Sequence, residues 1–482
     1  MKKIIYTSLC LLSVWFMSCE KIDELQDDPN RVSSSTPDLI FTAIQIAASN
    51  NISTSAALAT RQLGNTDGVS DHQYYNWQRA GFDNYFKLKQ ISKLKQEAIH
   101  YDAPVYLALA KFYESYFIVE TTLLFGDVPF SEAVRIEQEI TSPAYDAQKD
   151  IFVQVLQNLK EANEELAQIE QVIKGDILYK GEVYKWRKLV NSYTLKVLLD
   201  LSVKSNDPDL KVIQTFNEIV SNPSKYPIFE NLTDSAFLNY VDSKTNQYPY
   251  FNNNSLQTAF YLEESFVEKL KDLKDSRLFS MADMINERVD DNKENFANYG
   301  GIKGSDALQD NVKKVMQGKV SRINARYYLD PVNEPSVLLS YWELQFVLAE
   351  ASERGWIPNK TEEYYTNGIK ASFAFYKKQS TQAYLDQEKV VLNGVNNLER
   401  ILTQKHIASF MNSGWQSFFD NRRTGYPVFN NDGTGVLNGG RIPKRWMYPN
   451  SESINNDTNL NRAIDQQFTN GDNIYELMWL LK

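Results

Sequence analysis

The chain has 482 residues and a formal net charge of −10, from 51 Lys and Arg against 61 Asp and Glu. That balance excludes a broad nucleic-acid surface, which needs clustered cations to neutralise phosphates, and the strongest basic run, Arg441 to Arg445 in RIPKRW, is too short to reverse it. An apolar content of 43% is ample for a large core, and two cysteines, Cys10 and Cys19, are too few for a disulfide framework.

The first segment in chain order is MKKIIYTSLCLLSVWFMSC. Lys2 and Lys3 lead an uncharged stretch from Ile4 to Ser18. It falls short of the roughly 20 apolar residues of a membrane span but matches the charged and apolar regions of a secretory signal. Ser18 directly before Cys19 resembles a lipobox. Residues 1–18 are therefore expected to be a lipoprotein signal peptide, with Cys19 acylated (a palmitate-type modification) as the new N-terminus. Cys10 would leave with the signal, so no intramolecular disulfide remains. The polar, acidic stretch 19–36 reads as a lipidated tether, and no later segment carries an apolar run long enough to cross a bilayer.

Helical patterns dominate the rest of the chain. Thr36-Pro37-Asp38 gives an N-cap with proline at the first helical position, and Leu39, Ala43, Ile46 and Ala47 come next at helical spacing. After Pro104, Val105, Leu109, Phe112, Tyr116, Val119 and Leu123 form one apolar stripe, while Tyr106, Ala110, Tyr113 and Phe117 form another. A helix apolar on two faces belongs between other helices. Further helices are expected through Ile151–Ile169, Val183–Leu201, Leu338–Ala351, Tyr365–Tyr376 and Leu398–Met411. The expected fold is all-α, a tetratricopeptide-like helical-hairpin scaffold over about 37–220 and 334–420 within a single domain of residues 37–482. An irregular insertion at about 221–333 and a loop-rich part at 421–482 complete it. In the insertion, NPSKYPIF, NQYPYFNNNS and NYGGIKGSD break the helical pattern with Pro, Gly and Asn.

Six stretches stand in a recognisable order: DDPNRVSSSTPDLIF (27–41), LFGDVPFSEA (124–133), WRKLVNSYTLKVLLDLS (186–202), YWELQFVLAEASERGWI (341–357), TQKHIASFMNSGWQSFFDNRRTGYP (403–427) and RIPKRWMYPNSESINNDTNLNRAI (441–464). Together with the Cys19 signal they resemble the SusD/RagB-like outer-membrane lipoproteins, in particular the SusD-like 2 branch, over nearly the whole chain. The resemblance implies four tetratricopeptide-like helix pairs and display on the exterior of a Gram-negative outer membrane. It implies as partner a SusC-like TonB-dependent transporter, covered as by a hinged lid. It implies an oligosaccharide ligand, or a peptide in some systems. Glu20, Asp23 and Glu24 after Cys19 resemble the family's surface-export signal.

The family motifs read as determinants of the fold. Arg422 and Arg423 of NRRTGYP are suited to pairing with carboxylates or helix-end carbonyls. Ligand contact is expected instead where aromatics sit in loops. GVSDHQYYNWQRAGF (68–82) offers Tyr74, Tyr75, Asn76 and Trp77, and the insertion offers Tyr248 and Tyr250. Aromatic rings take the C–H face of a sugar, and amide or acidic side chains take its hydroxyls. His72, His100 and His406 belong to no H-E-x-x-H, and no G-x-S-x-G or Walker motif is present. Neither catalytic residues nor a cofactor are expected. Asn430, Asn431 and Asp432 read as a turn and not as a metal site. The competing readings are a surface glycoside hydrolase on a helical scaffold, and a lipoprotein that covers its barrel while binding little itself.

Overall fold

The computed structural model describes residues 35–49, 51–135 and 139–482. The signal peptide, Cys19 and the tether up to residue 34 lie outside the described residues.

Helices of nine or more residues are numbered in chain order. The first half contains α1 (Pro37–Ala48), α2 (Asn84–His100), α3 (Pro104–Phe125), α4 (Gln148–Leu166), α5 (Val183–Asp200) and α6 (Val212–Ser221). Helices α7 (Glu264–Asp272) and α8 (Leu308–Met316) lie in the central region. After them come α9 (Tyr341–Glu353), α10 (Thr361–Phe375), α11 (Asn397–Ala408), α12 (Gln416–Thr424) and α13 (Asp457–Gln467). Neighbours in sequence pack as hairpins: α2 on α3, α4 on α5 and α9 on α10. Helix α3 also packs on α4, α11 returns onto α9, and α9 touches α5, which ties the two halves together. This is an all-α, tetratricopeptide-like architecture. Among the described residues, strands are confined to two small antiparallel ladders, β1 (Leu63–Asn65) with β3 (Phe260–Leu262) and β2 (Ala236–Leu238) with β4 (Ser336–Leu339).

Sequence accounts for most of these elements. Both expected stripes of α3 are buried, from Val105 and Tyr106 through Phe117 to Leu123, so this helix runs through the middle of the first core. Gly126, at φ 95°, ends it where a side chain would be strained. In α1 the expected face is reversed. Leu39 and Ile46 face solvent, whereas Phe41, Ile44 and Gln45 are buried. Phe41 packs against Tyr106, Tyr113 and Trp186, and the Gly175 carbonyl accepts from Thr42 Oγ1 at 2.7 Å and Gln45 Nε2 at 2.8 Å, which together anchor the other face of the helix. The central region carries more order than its Pro and Gly content suggests: α7 and α8 stand within it, and Phe266, Val267 and Leu270 of α7 join a second core with Trp342, Phe346 and Ile369. Likewise α12 and α13 give helical order to the C-terminal part.

Among the described residues, no helix is long and apolar enough to cross a membrane.

Candidate functional site

A cavity of about 520 Å³ opens where the end of α3, the middle of α5, the first turn of α9 and the segment 413–419 converge. That size suits a small-molecule ligand, for which roughly 300–1,000 Å³ is typical. Residues 51–55 and 80–87 form part of its lining.

One wall is aromatic. Trp415 and Trp446 line it with ring centroids 4.7 Å apart and nearly perpendicular, and Phe419 and Tyr116 extend it. His72 also lines the cavity, 5.5 Å from Trp415. Burial holds its imidazole below the usual histidine range, against the pull of Asp71, so it is neutral at pH 7.

The rest of the lining is polar. Lys87 donates to Asn84 Oδ1 at 2.9 Å and lies 4.8 Å above the Phe117 ring. Lys196 pairs with Asp200 at 3.1 Å. Burial opposes the charge of Lys196, but Asp200 and Glu343 outweigh it and hold the ammonium above its ordinary range. Glu120 and Glu343 are both pushed upward by burial, with Lys87 opposing the shift at Glu120 and Lys196 and Lys405 opposing it at Glu343. Gln416 sits at the floor, its amide donating to Asp200 at 3.2 Å. Flat apolar rings beside both donors and acceptors are what a polyhydroxylated ligand needs.

The loop 68–82 lies beside this cavity, but its aromatics are not an open platform. Trp77 is 3% exposed. It stacks on Trp446 at 5.0 Å and on His72 at 5.7 Å, and its indole N–H donates to the Arg445 carbonyl at 3.3 Å. Tyr75 is fully buried, with its hydroxyl on the Ala59 carbonyl at 2.8 Å and the Arg61 guanidinium 4.4 Å over its ring. Burial pushes its phenol up to about 12. Tyr74 is buried and donates to the Asp306 carbonyl at 2.9 Å. Asn76 is half-buried, held by Asp71 at 3.2 Å and by the amide of Asn438 at 3.0 Å. In the insertion, Tyr248 is buried between Tyr240 and Tyr327, and the half-buried Tyr250 accepts from the Thr54 backbone N–H at 3.2 Å, next to the lining residues Ser53 and Ser55. Tyr74, Tyr75, Trp77 and Tyr248, named as ligand candidates from the sequence, are thus all buried side chains. Their large apolar area is worth more in a dry core than facing water.

The aromatic face that is open belongs to Trp415, in a motif that reads as structural. Two signals mark it in the sequence: a tryptophan directly after glycine at a helix entry, and a polar Ser-Gly step before it. The Arg pair of the same motif is structural, as its chemistry suggests. Arg423 reaches Glu350 through both guanidinium nitrogens, at 2.8 Å for Nη2, and Asp420 at 2.9 Å. Arg422 donates to the carbonyls of Lys444 at 2.7 Å and Leu123 at 2.8 Å. Asp432 pairs with Lys303 at 3.0 Å. Among the described residues, no group of three or more His, Cys, Asp or Glu is placed to hold a metal.

The SusD-like 2 family, described as "Starch-binding associating with outer membrane", matches residues 29–449. The chain belongs to the SusD-like family. Solved structures agree across nearly its whole length. An outer membrane protein from Bacteroides vulgatus, described in terms of nutrient binding, is 34% identical with a TM-score of 0.87, covering 93% of this chain and 100% of that one. SusD homologues from Bacteroides fragilis are 36% and 30% identical, with TM-scores of 0.85 and 0.86 and the same coverage. No curated protein matches the chain. Membership makes this SusD-like protein one of a family of nutrient-binding proteins associated with the outer membrane, whose members act by binding.

Proposed function

We propose that this SusD-like protein is a cell-surface lipoprotein, anchored through acylated Cys19, that captures a nutrient oligosaccharide. It delivers the ligand as a hinged lid to a SusC-like TonB-dependent transporter. The observation that supports capture is the cavity: an aromatic wall of Trp415, Trp446 and Phe419 faces buried carboxylates, lysines and amides. Trp77 and Tyr75 act from behind that wall by fixing Trp446 and the loop, and the half-buried Asn76 and Tyr250 are our candidates for contact with ligand outside the cavity. Handover requires release, so the affinity is modest. The chemistry acts through binding, with no bond broken.

Titration of the purified protein with oligosaccharides and peptides, followed by chromatography of the mixture, tests this. Saturable binding with the ligand recovered intact is expected. Sustained product formation by pure protein would replace the reading with a surface glycoside hydrolase, and a preference for peptides would replace the ligand class alone. Intact mass of protein extracted from membranes should show acyl chains at Cys19, and mild detergent should retain a β-barrel companion.

A further inference from the structure

Ser340-x-x-Glu343 has the spacing of a capping box, in which the glutamate should reach back to the backbone N–H of the capping residue. Ser340 performs its half: its hydroxyl accepts from the Glu343 N–H at 3.1 Å. Glu343 does not return the bond. Its side chain is only 5% exposed, it lines the cavity, and Oε1 has no hydrogen-bond partner. A buried acceptor without a partner costs roughly what a lost hydrogen bond does, and more when charged.

The neighbouring cations are already engaged. Lys196 pairs with Asp200 and Lys405 with Asp420, at 3.1 and 2.9 Å. Behind Glu343 lies a void of only about 10 Å³, at the threshold for one water molecule. In front of it is the cavity of about 520 Å³ with Trp415 on its wall.

Resting on the nutrient-binding reading above, we propose that Glu343 and Trp415 together recognise the end of a neutral sugar chain. Glu343 accepts hydrogen bonds from ring hydroxyls, and the Trp415 ring covers the apolar face of the same sugar. The charge balance of the lining disfavours an acidic glycan: a ligand carboxylate or sulfate would meet Glu343 and Glu120, Lys196 is paired with Asp200, and Lys87, which donates to the neutral Asn84 amide, lies beside Glu120. Cavity size limits the enclosed part to a short terminal unit, with the remaining chain outside.

The test uses the mature chain, neutral gluco- and manno-oligosaccharides of increasing length, oligogalacturonides of matching length, and a short-peptide mixture, read by calorimetry. Neutral sugars should bind, with an affinity that stops rising after the first few units. Glu343→Leu and Trp415→Ala should each weaken binding by about 10-fold or more, the size of a lost charge-assisted hydrogen bond or stacking contact. Glu343→Leu should leave the thermal midpoint unchanged or raised, because a buried oxygen without a hydrogen-bond partner is removed; a lowered midpoint with unchanged binding assigns Glu343 to the fold and overturns the proposal. Parent-like sugar binding by both variants also overturns it, as does tighter binding of oligogalacturonides or an affinity that keeps rising with chain length. In these cases the nutrient-binding reading stands. If no sugar or peptide binds the parent, that reading falls as well.

Discussion

His406 offers a measurement of how dry the seam beside α12 is. Its ring is buried at 8% exposure, with Nδ1 on Ser417 Oγ at 3.0 Å and Phe266 5.4 Å away. Burial pulls its pKa from 6.5 to about 3, against the attraction of Asp420. The unfolded chain therefore takes up a proton below pH 6.5 that the native state refuses. The stability tied to neutral His406 is full above that value, begins to fall as pH drops through it, and is exhausted near pH 3. Each pH unit in this window removes about 1.4 kcal/mol, so about 2 kcal/mol is lost between pH 7 and pH 5. Other groups titrate in the same range, so the quantity to measure is a difference. His406→Asn keeps a polar atom near Nδ1 for Ser417 but cannot be protonated. Urea unfolding of both proteins at the two pH values should show the parent losing about 2 kcal/mol more than the variant. Parallel losses would mean that water reaches the imidazole and the seam is not dry.

The buried ion cluster between α9 and α12 makes a second prediction. Arg423→Met takes one counter-charge from each of Glu350 and Asp420, which keep Arg354 and Lys405, at sites almost closed to water, so the cost should approach but not exceed about 3–5 kcal/mol; adding Glu350→Leu should recover part of it, and a double variant no better than the single one would contradict this. Asp127 behaves oppositely to His406: burial raises its carboxyl to about 6, so the stability of its neutral form is present below about pH 4 and lost as pH rises through 6. Asp127→Asn, whose side-chain oxygen can still accept from the Gln148 N–H, should exceed the parent by up to about 3 kcal/mol at pH 7 and lose that advantage near pH 4, by the same unfolding assay. At Gly175, φ is 71° and an added Cβ would stand 2.2 Å from the Asp38 carbonyl oxygen, whereas at Gly355, φ 74°, nothing lies within 4 Å. Gly175→Ala should therefore lower the midpoint clearly more than Gly355→Ala, which bears only the backbone strain of about 1 kcal/mol.

The fold is legible wherever burial is two-sided. The stripes of α3 and α5 are apolar enough that no alternative element fits, and the bounds of α3 come from Pro104 and Gly126. Helix α2 gives little signal because Lys, Gln and Ser separate its buried residues Leu88, Ile91, Leu94 and Ala98, so that its apolar stripe is one residue wide. In α1 periodicity points to the wrong face, since Leu39 and Ile46 keep helical spacing as well as Phe41 and Ile44 do. Distant partners break that tie: the Gly175 loop through Thr42 and Gln45, and Tyr106, Tyr113 and Trp186 around Phe41. The site is hidden for a related reason. An aromatic in a loop reads as exposed, yet loop 68–82 folds inward, and the rings of Tyr75 and Trp77 become the backing of a wall whose front, Trp415, lies far along the chain.

That wall removes the separation between residues that shape the fold and residues that meet the ligand. A stacking platform is useful only if it is held still, because a ring that must be ordered on binding loses part of what stacking contributes. Trp415 precedes α12 directly, and α12 is fixed at its far end by Arg423 on Glu350 of α9 and by Arg422 on the carbonyls of Leu123 and Lys444. Lys444 stands two residues before Trp446, and Arg445 between them is fully buried on the Phe125 carbonyl and on Asp472, at 2.6 Å. The two tryptophans are thus tied to the same end of α3, Trp415 through Arg422 on the Leu123 carbonyl and Trp446 directly, its backbone N–H on the Leu124 carbonyl at 3.0 Å with Arg445 beside it on Phe125. An arginine pair that touches no ligand, in a motif that reads as structural, is in this arrangement what makes the binding face rigid.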